Sequence, residues 1–87
     1  MKKITIIGAG GQMGQWFVKY FAGQGFEVTG YDSENKVSGK DVKISESLVG
    51  GILKADYVVL CTPTRRTPEI IRLIAKEMKR DTYLIEI

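Results

Sequence analysis

The sequence has no histidine and a single cysteine among its 87 residues. Histidine is the side chain that most often serves as a general base near neutral pH, and this chain cannot supply one. The lone Cys61 excludes an internal disulfide, which is typical of proteins from a reducing compartment. Because no histidine is present to activate it, Cys61 is expected to be a small core residue and not a nucleophile. We therefore expect a cytoplasmic protein that uses no disulfide and no Cys–His pair.

Long apolar runs and strong charge are also missing. No apolar run approaches the roughly 18 residues of a membrane span, and the N-terminus leads straight into an apolar segment without room for a signal sequence. The net charge is only +3, and lysine and arginine are spread over both halves without interleaved aromatics. We therefore expect no membrane and no nucleic acid as partners. The length of 87 residues fits one small domain, residues 1–87.

Glycine is abundant, with ten residues, and it is concentrated near the N-terminus. The segment of interest reads Ile4-Thr5-Ile6-Ile7-Gly8-Ala9-Gly10-Gly11-Gln12-Met13-Gly14. It is typical of a buried strand, a glycine turn and the start of a helix. Backbone N–H groups at such a turn, at the positive end of a helix, bind a phosphate or a pyrophosphate. This segment predicts a nucleotide site.

The rest of the chain alternates between strand and helix patterns. Apolar, β-rich segments predict strands at 3–7, 26–31, 57–61 and 82–87, with a short strand at 42–44. Helices are expected from Gln12 to Gly23 or Gly25, after a cap at Ser45 or Ser47, and from a cap at Thr67. Residues 33–40 are polar and predict a surface loop. This order indicates an α/β fold with a doubly wound parallel sheet, Rossmann-like and truncated after about five strands.

Helical spacing places an apolar face on the first helix. Its members are Met13, Trp16, Phe17, Tyr20 and Phe21. Residues at these positions share one side of a helix. We expect this face to lie in the core or at an interface.

The glycine spacing is ambiguous. Gly8, Gly10 and Gly14 read as G-x-G-x-x-x-G, whereas Gly11 and Gly14 supply only the last two glycines of G-x-G-x-x-G, with Ala9 in place of the first. In the functional interpretation, Gly8 allows a tight turn, Gly10 and Gly11 admit the pyrophosphate, and Gly14 lets the helix approach the strand. A tight turn without a ligand is the alternative for the glycines alone.

Asp32 strengthens the nucleotide interpretation. It follows Tyr31 at the end of the next predicted strand, about 20 residues after the glycines. A carboxylate there accepts hydrogen bonds from the hydroxyls of an adenosine ribose and repels a 2′-phosphate. We therefore predict NAD(H) in preference to NADP(H), although Lys36 leaves NADP(H) open, and a solvated acid at the strand end is the alternative.

A second loop follows the strand at 57–61. Thr62 is placed to hydrogen-bond a cofactor, and Pro63 stiffens the turn. Arg65 and Arg66 are candidates to face a phosphate or an acidic substrate, or are two solvated charges before a helix. No metal site is expected.

Three segments resemble the prephenate dehydrogenases, especially archaeal ones and those fused to chorismate mutase. The first is Ile6–Phe17, whose Gly-Gly-Gln-Met-Gly run is more specific than a generic dinucleotide fingerprint. The others are Ala55–Pro63 and Leu84–Ile87, with Glu86 where many members have Asp. The β-hydroxyacid dehydrogenases and pyrroline-carboxylate reductases share the pattern with a tighter loop. A regulatory NAD-sensing domain, as attached to ion channels and transporters, is an alternative of another class.

The resemblance implies a set of roles. Pyrophosphate contacts fall to Gly8, Ala9, Gly10, Gly11, Gln12 and Met13, ribose contacts to Asp32 beside Tyr31, and contacts on the nicotinamide side to Cys61, Thr62 and Pro63. It also implies a parent enzyme that oxidises and decarboxylates prephenate to 4-hydroxyphenylpyruvate on the route to tyrosine. Separately, we expect a homo-oligomer, because an uncovered apolar edge beside the last strand invites pairing with another copy of the chain. The family's catalytic histidine and its substrate-binding arginine lie in a region that this chain does not contain. The 87 residues alone are therefore expected to be inactive.

Overall fold

A computed structural model describes residues 2–61 and 67–86 of the chain. Within them, five parallel strands form one sheet in the order β3-β2-β1-β4-β5. The strands are β1 (Lys3–Ile7), β2 (Glu27–Tyr31), β3 (Lys43–Ile44), β4 (Tyr57–Leu60) and β5 (Tyr83–Glu86). The helices are α1 (Gln12–Gly23), α2 (Leu48–Ile52) and α3 (Thr67–Glu77). The predicted doubly wound α/β fold is confirmed.

The strand order reverses direction beside β1. From β1 the chain moves outward to β2 and β3, then returns to place β4 on the other side of β1. The register pairs Ile7 with Tyr31 on β2 and with Leu60 on β4, so three neighbouring strands end level. Open α/β sheets bind ligands at the carboxyl edge where the strand order reverses. The fold therefore brings together the loops that follow β1, β2 and β4.

The core has two layers, one on each face of the sheet. Ile4 and Ile6 lie in the layer beneath α1, and Ile7 lies in the layer beneath α2 and α3. This alternation is why β1 is apolar at nearly every position: a parallel strand covered by helices on both faces buries every side chain. None of the described helices combines the length and apolar character needed to cross a bilayer.

The helix ends follow local chemistry. Of the two serines considered for α2, Ser47 is the cap, and its hydroxyl accepts a hydrogen bond from the N–H of Gly50 at 3.0 Å. Gly25 follows α1 with a φ of 90°, a left-handed conformation that glycine adopts without strain. α3 begins at Thr67, whose side chain, proposed as a cap, lies outside the described part of the structure.

Of the two alternatives predicted for the apolar face of α1, core or interface, the core does not apply to three of its residues. Met13, Trp16 and Tyr20 are 54%, 59% and 46% exposed, because α1 meets the sheet along the neighbouring line that contains Gly14 and Val18. Trp16 stacks on Tyr20 with ring centroids 5.3 Å apart. An interface role for this exposed ridge, and the association of copies of the chain, stay predictions.

The loop at 33–40 also differs from expectation, because Val37 is only 8% exposed. It folds over β2 at Gly30, where an added Cβ would lie 2.8 Å from the Cβ of Ala9 and 3.0 Å from Cγ1 of Val37. The absence of a side chain at Gly30 therefore lets a polar loop place one valine in the core. A pattern-based assignment of the loop as surface cannot detect a single buried residue of this kind.

Gly14 provides a test of how closely α1 approaches β1. A Cβ at Gly14 would overlap the carbonyl oxygen of Gly8 and lie 2.8 Å from Cα of Ala9. We expect Gly14→Ala to lower the free energy of unfolding by about 2–3 kcal/mol, as overpacking against backbone does. Urea unfolding followed by far-UV circular dichroism measures the change.

Gly23 is the matched control on the same helix, because an added Cβ meets nothing within 4 Å. Gly23→Ala should leave stability unchanged or raise it by about 0.5–1 kcal/mol. Equal stabilities for the two variants would contradict the close approach of α1 to β1.

Candidate functional site

The glycine loop, residues 8–11 between β1 and α1, is held on the end of β2. The N–H groups of Gly8 and Ala9 both donate to the carbonyl oxygen of Tyr31, at 2.7 and 3.1 Å. The N–H of Gly11 donates to the carbonyl oxygen of Gly8 at 3.2 Å, and Gly8 has a φ of 87°. The tight turn predicted at Gly8 is therefore present, and it depends on a left-handed residue.

The free N–H groups of this region lie on α1 and not in the loop. Gly10 also uses its N–H, donating to Oδ2 of Asp32 at 3.0 Å, so all four loop N–H groups have acceptors within the protein. Among residues 2–61 and 67–86, no acceptor takes the N–H groups of Gln12, Met13 or Gly14. Because Gly11 at the N-cap has no side chain to cap them, the first turn of α1 presents three donors to a ligand.

The glycines differ in the space around them. A Cβ at Gly11 would have only the carbonyl oxygen of Gly8 within 4 Å, at 3.6 Å, so the protein leaves this position open. A Cβ at Gly10 would lie 2.6 Å from Cβ of Asn35 and 2.8 Å from its carbonyl oxygen. The room expected for a ligand at both residues therefore exists at Gly11, whereas Asn35 occupies the corresponding space at Gly10.

Asp32 lies at the end of β2 and is tied to both neighbouring loops. Its Oδ1 accepts from the N–H groups of Glu34 and Asn35 at 2.9 and 2.8 Å, and its Oδ2 accepts from Gly10. Partial burial alone would raise the pKa of this carboxyl, but the hydrogen bonds outweigh it and hold the pKa below the usual 3.8. Asp32 is therefore ionised at neutral pH. A carboxylate has about four acceptor positions, so about one remains for a ribose hydroxyl.

Cys61 follows β4 on the other side of β1. Its N–H donates to the carbonyl oxygen of Ile7 at 2.8 Å, and its side chain packs against the core layer beneath α1. Burial raises the pKa of the thiol to about 11, so the thiol is protonated and unreactive at neutral pH. The other residues predicted in this loop lie outside the described residues: Thr62, Pro63, Arg65 and Arg66.

Several predicted site residues act through the backbone. The side chain of Ala9 is buried in the core, and that of Tyr31 packs on the α2 and α3 side while its carbonyl oxygen supports the loop. Gln12 and Met13 are exposed at the start of α1 and bring free N–H groups. No group of three metal-binding side chains occurs within the described ranges.

Two contributing residues were missed from the sequence. Nε2 of Gln15 donates to the carbonyl oxygen of Gly10 at 2.8 Å, and Asn35 closes the turn after Asp32. The Asp-x-x-Asn spacing, typical of side chain to backbone turns, is a signal that could have found Asn35. Gln15 lies in the first turn of α1, five residues after Gly10, and its side chain reaches back to the loop.

This arrangement fits a dinucleotide. Three unpaired N–H groups at the positive end of α1 match a pyrophosphate, and Gly11 leaves the space for close approach. The carboxylate of Asp32, at the end of the neighbouring strand β2, matches a ribose hydroxyl of the ligand. The protein needs no rearrangement of its own hydrogen bonds to offer these groups.

Comparisons with known proteins agree with this geometry. The family model described as the D-isomer-specific 2-hydroxyacid dehydrogenase, NAD-binding domain, matches residues 1–87. A probable arogenate/prephenate dehydrogenase of Methanocaldococcus jannaschii is 29% identical over 89 aligned residues, which cover 97% of this chain and 20% of that protein.

Solved structures with the same architecture include two dehydrogenases at 25% identity. D-2-hydroxyisocaproate dehydrogenase superposes with a TM-score of 0.84, over 99% of this chain and 26% of that one. The NAD-dependent formate dehydrogenase from Staphylococcus aureus, in complex with NAD, superposes with a TM-score of 0.83, over 98% of this chain and 26% of that one. The chain thus spans between a fifth and about a quarter of the length of these relatives.

The fold, the glycine loop and the family match lead to one assignment. The Rossmann-like sheet is shared with NAD-dependent dehydrogenases, and NAD is the cofactor of the matched family. The match extends over all 87 residues. This chain belongs to the family of NAD-binding domains of the D-isomer-specific 2-hydroxyacid dehydrogenases.

Proposed function

We propose that this chain binds NAD(H) with its pyrophosphate at the amino end of α1 and its adenosine ribose at Asp32. The observation that carries the proposal is the set of three N–H groups, on Gln12, Met13 and Gly14, that no described residue accepts. An anion at this end also interacts favourably with the helix dipole. When bound, NAD supplies the hydride acceptor of an oxidation.

The chain's own residues prepare this site before the cofactor arrives. The Tyr31 carbonyl oxygen and the Asp32 carboxylate hold the glycine loop in place, so little ordering remains to be done on binding. The charge of Asp32 favours a ribose hydroxyl over a 2′-phosphate. NAD(H) is therefore preferred to NADP(H) in this proposal.

We also propose that this chain is the cofactor-binding part of a prephenate dehydrogenase-like oxidoreductase. Support comes from the Gly-Gly-Gln-Met-Gly run and from the archaeal relative, which aligns with 97% of this chain. A second candidate is oxidation of a D-2-hydroxy acid, favoured by the family model that spans residues 1–87. In either case the base and the substrate site come from other parts of a longer polypeptide, because these residues contain no histidine.

Calorimetric titration with NAD and NADP tests the assigned ribose site. The unmodified chain should bind NAD more tightly than NADP. Asp32→Ala should weaken NAD binding about 10-fold or more, because a hydrogen bond to a charged group is lost. The same substitution should narrow the difference in affinity between NAD and NADP. Asp81→Ala, in an exposed turn at the opposite edge of the sheet, is the matched control and should change neither affinity. Tighter binding of NADP by the unmodified chain would contradict the ribose assignment.

The two neighbouring glycines should respond differently to valine. Gly11→Val should keep the stability of the fold but abolish cofactor binding, because its side chain enters space that the protein leaves open for the ligand. Gly10→Val should lower stability as well, because its Cβ meets the backbone of Asn35. Urea unfolding beside calorimetry separates the two effects. Undiminished NAD binding by Gly11→Val would place the pyrophosphate elsewhere.

Turnover distinguishes the proposed reactions. The isolated 87 residues should bind NAD without oxidising prephenate. The reaction needs the substrate held against the nicotinamide and a base whose pKa is near neutral pH, and the sequence has no histidine to serve as that base. A complete natural polypeptide that contains these residues should form NADH from prephenate, as measured by absorbance. NADH formation from D-2-hydroxyisocaproate alone would favour the second candidate, and NAD binding without turnover of either compound would favour a regulatory domain. Prephenate oxidation by the 87 residues would contradict the proposal that the base and the substrate site lie outside them.

A further inference from the structure

The side chain of Gln15 is bonded to the glycine loop, although Gln15 belongs to α1. Its Nε2 donates to the carbonyl oxygen of Gly10 at 2.8 Å, and its backbone N–H donates to the carbonyl oxygen of Gly11 at 2.9 Å. Within residues 2–61 and 67–86, no other side chain donates to the oxygen of Gly10. One residue therefore holds the carbonyl oxygens of both neighbouring glycines.

These two bonds separate negative from positive peptide ends beside the candidate anion site. In an α-helix the N–H groups point toward the amino end and the carbonyl oxygens toward the carboxyl end. The free N–H groups of the first turn therefore point out of α1, whereas Gln15 draws the oxygens of Gly10 and Gly11 toward the body of the helix. A carbonyl oxygen turned toward a bound anion would repel it, because both carry negative charge.

The peptide between Gly10 and Gly11 needs this restraint because neither flanking residue has a Cβ. Glycine has access to more backbone conformations than any other residue. The N–H of this peptide donates to the carbonyl oxygen of Gly8 at 3.2 Å, the longest of the four bonds made by the loop N–H groups. The bond from Gln15, at 2.8 Å, holds the opposite end of the same peptide. Together the two bonds fix the peptide through which the loop enters α1.

We propose that Gln15 is a positioning residue for the pyrophosphate half of the cofactor site, and that its side-chain amide keeps the Gly10 carbonyl oxygen turned away from the anion. The inference rests on the proposed function, in which the pyrophosphate lies at the amino end of α1. Gln15 acts through the Gly10 peptide, which is already set in the unbound protein, so less ordering is left for binding. Asp32 has a different task, because it holds the N–H of Gly10 and serves the ribose.

The experiment compares Gln15→Met with Gln24→Met by titration with NAD, ADP and adenosine. Methionine is similar to glutamine in length and helix propensity but has no donor, and Gln24 is exposed at the other end of α1. Gln15→Met should weaken NAD and ADP binding by the same factor, roughly 3- to 10-fold, because one hydrogen bond is lost. Adenosine, which has no phosphate, should bind as it does to the unmodified chain. Gln24→Met should change none of the three affinities.

The contrast between ADP and adenosine is a readout that a merely structural role would not move. General loosening of the site would weaken adenosine binding as much as ADP binding, and that result would overturn the proposal, as would an unchanged ADP affinity in Gln15→Met. If the methionine variant is less stable in urea, Gln15→Ala removes the same donor with a better helix former and repeats the test.

The carbon-13 NMR signal of the Gly10 carbonyl in the ligand-free proteins reports the bond itself. Hydrogen bonding to a carbonyl oxygen moves this signal downfield, so it should move upfield in Gln15→Met and stay in place in Gln24→Met. An unmoved signal in Gln15→Met would also overturn the proposal. If the unmodified chain binds neither NAD nor ADP, the proposed function fails, whereas ADP binding that does not respond to Gln15→Met counts against this inference alone.

Discussion

The hydrogen bond between the Asp32 carboxylate and the N–H of Gly10 joins the two loops on which the site depends. Each loop continues from a different strand, and the pairing of Ile7 with Tyr31 ends those strands at the same level. The Tyr31 carbonyl oxygen adds two bonds from Gly8 and Ala9. Without this level ending, the carboxylate and the glycine loop would not meet. The position of the candidate nucleotide site thus follows from strand register before it follows from any side chain.

Internal use of the loop N–H groups changes where an anion can be held. Glycine-rich loops are usually interpreted as binding sites whose own N–H groups face the phosphate. Here the loop N–H groups donate to Tyr31, to Asp32 and to the carbonyl oxygen of Gly8 within the loop. The unpaired donors begin one residue later, on the first turn of α1. A cap residue with a serine or aspartate side chain would have satisfied one of them. Glycine at the N-cap leaves all three for a ligand.

Among residues 2–61 and 67–86, the groups at the carboxyl edge of the sheet suit the binding of a cofactor more than chemistry on a substrate. Cys61 stands at the carboxyl edge but has a pKa near 11, which excludes it as a nucleophile at neutral pH. Asp32 is ionised and bonded to three backbone donors, which suits an acceptor of hydrogen bonds more than a group that exchanges protons. In the proposed function, this domain contributes the binding of the cofactor.

Local sequence determined most of the secondary structure and the positions of the glycine turn and of Asp32. Strand and helix periodicity is a short-range property, so β1, α1 and the turn at Gly8 could be predicted from neighbouring residues alone, as could Asp32 from its spacing. The tertiary structure decided what depends on distant contacts. Trp16 is exposed because α1 packs along the Gly14 line, and Val37 is buried because Gly30 leaves room for it. Asn35 meets Gly10 only after the loops are folded together. No pattern along the chain encodes these approaches, because each is set by how closely two separate segments can pack.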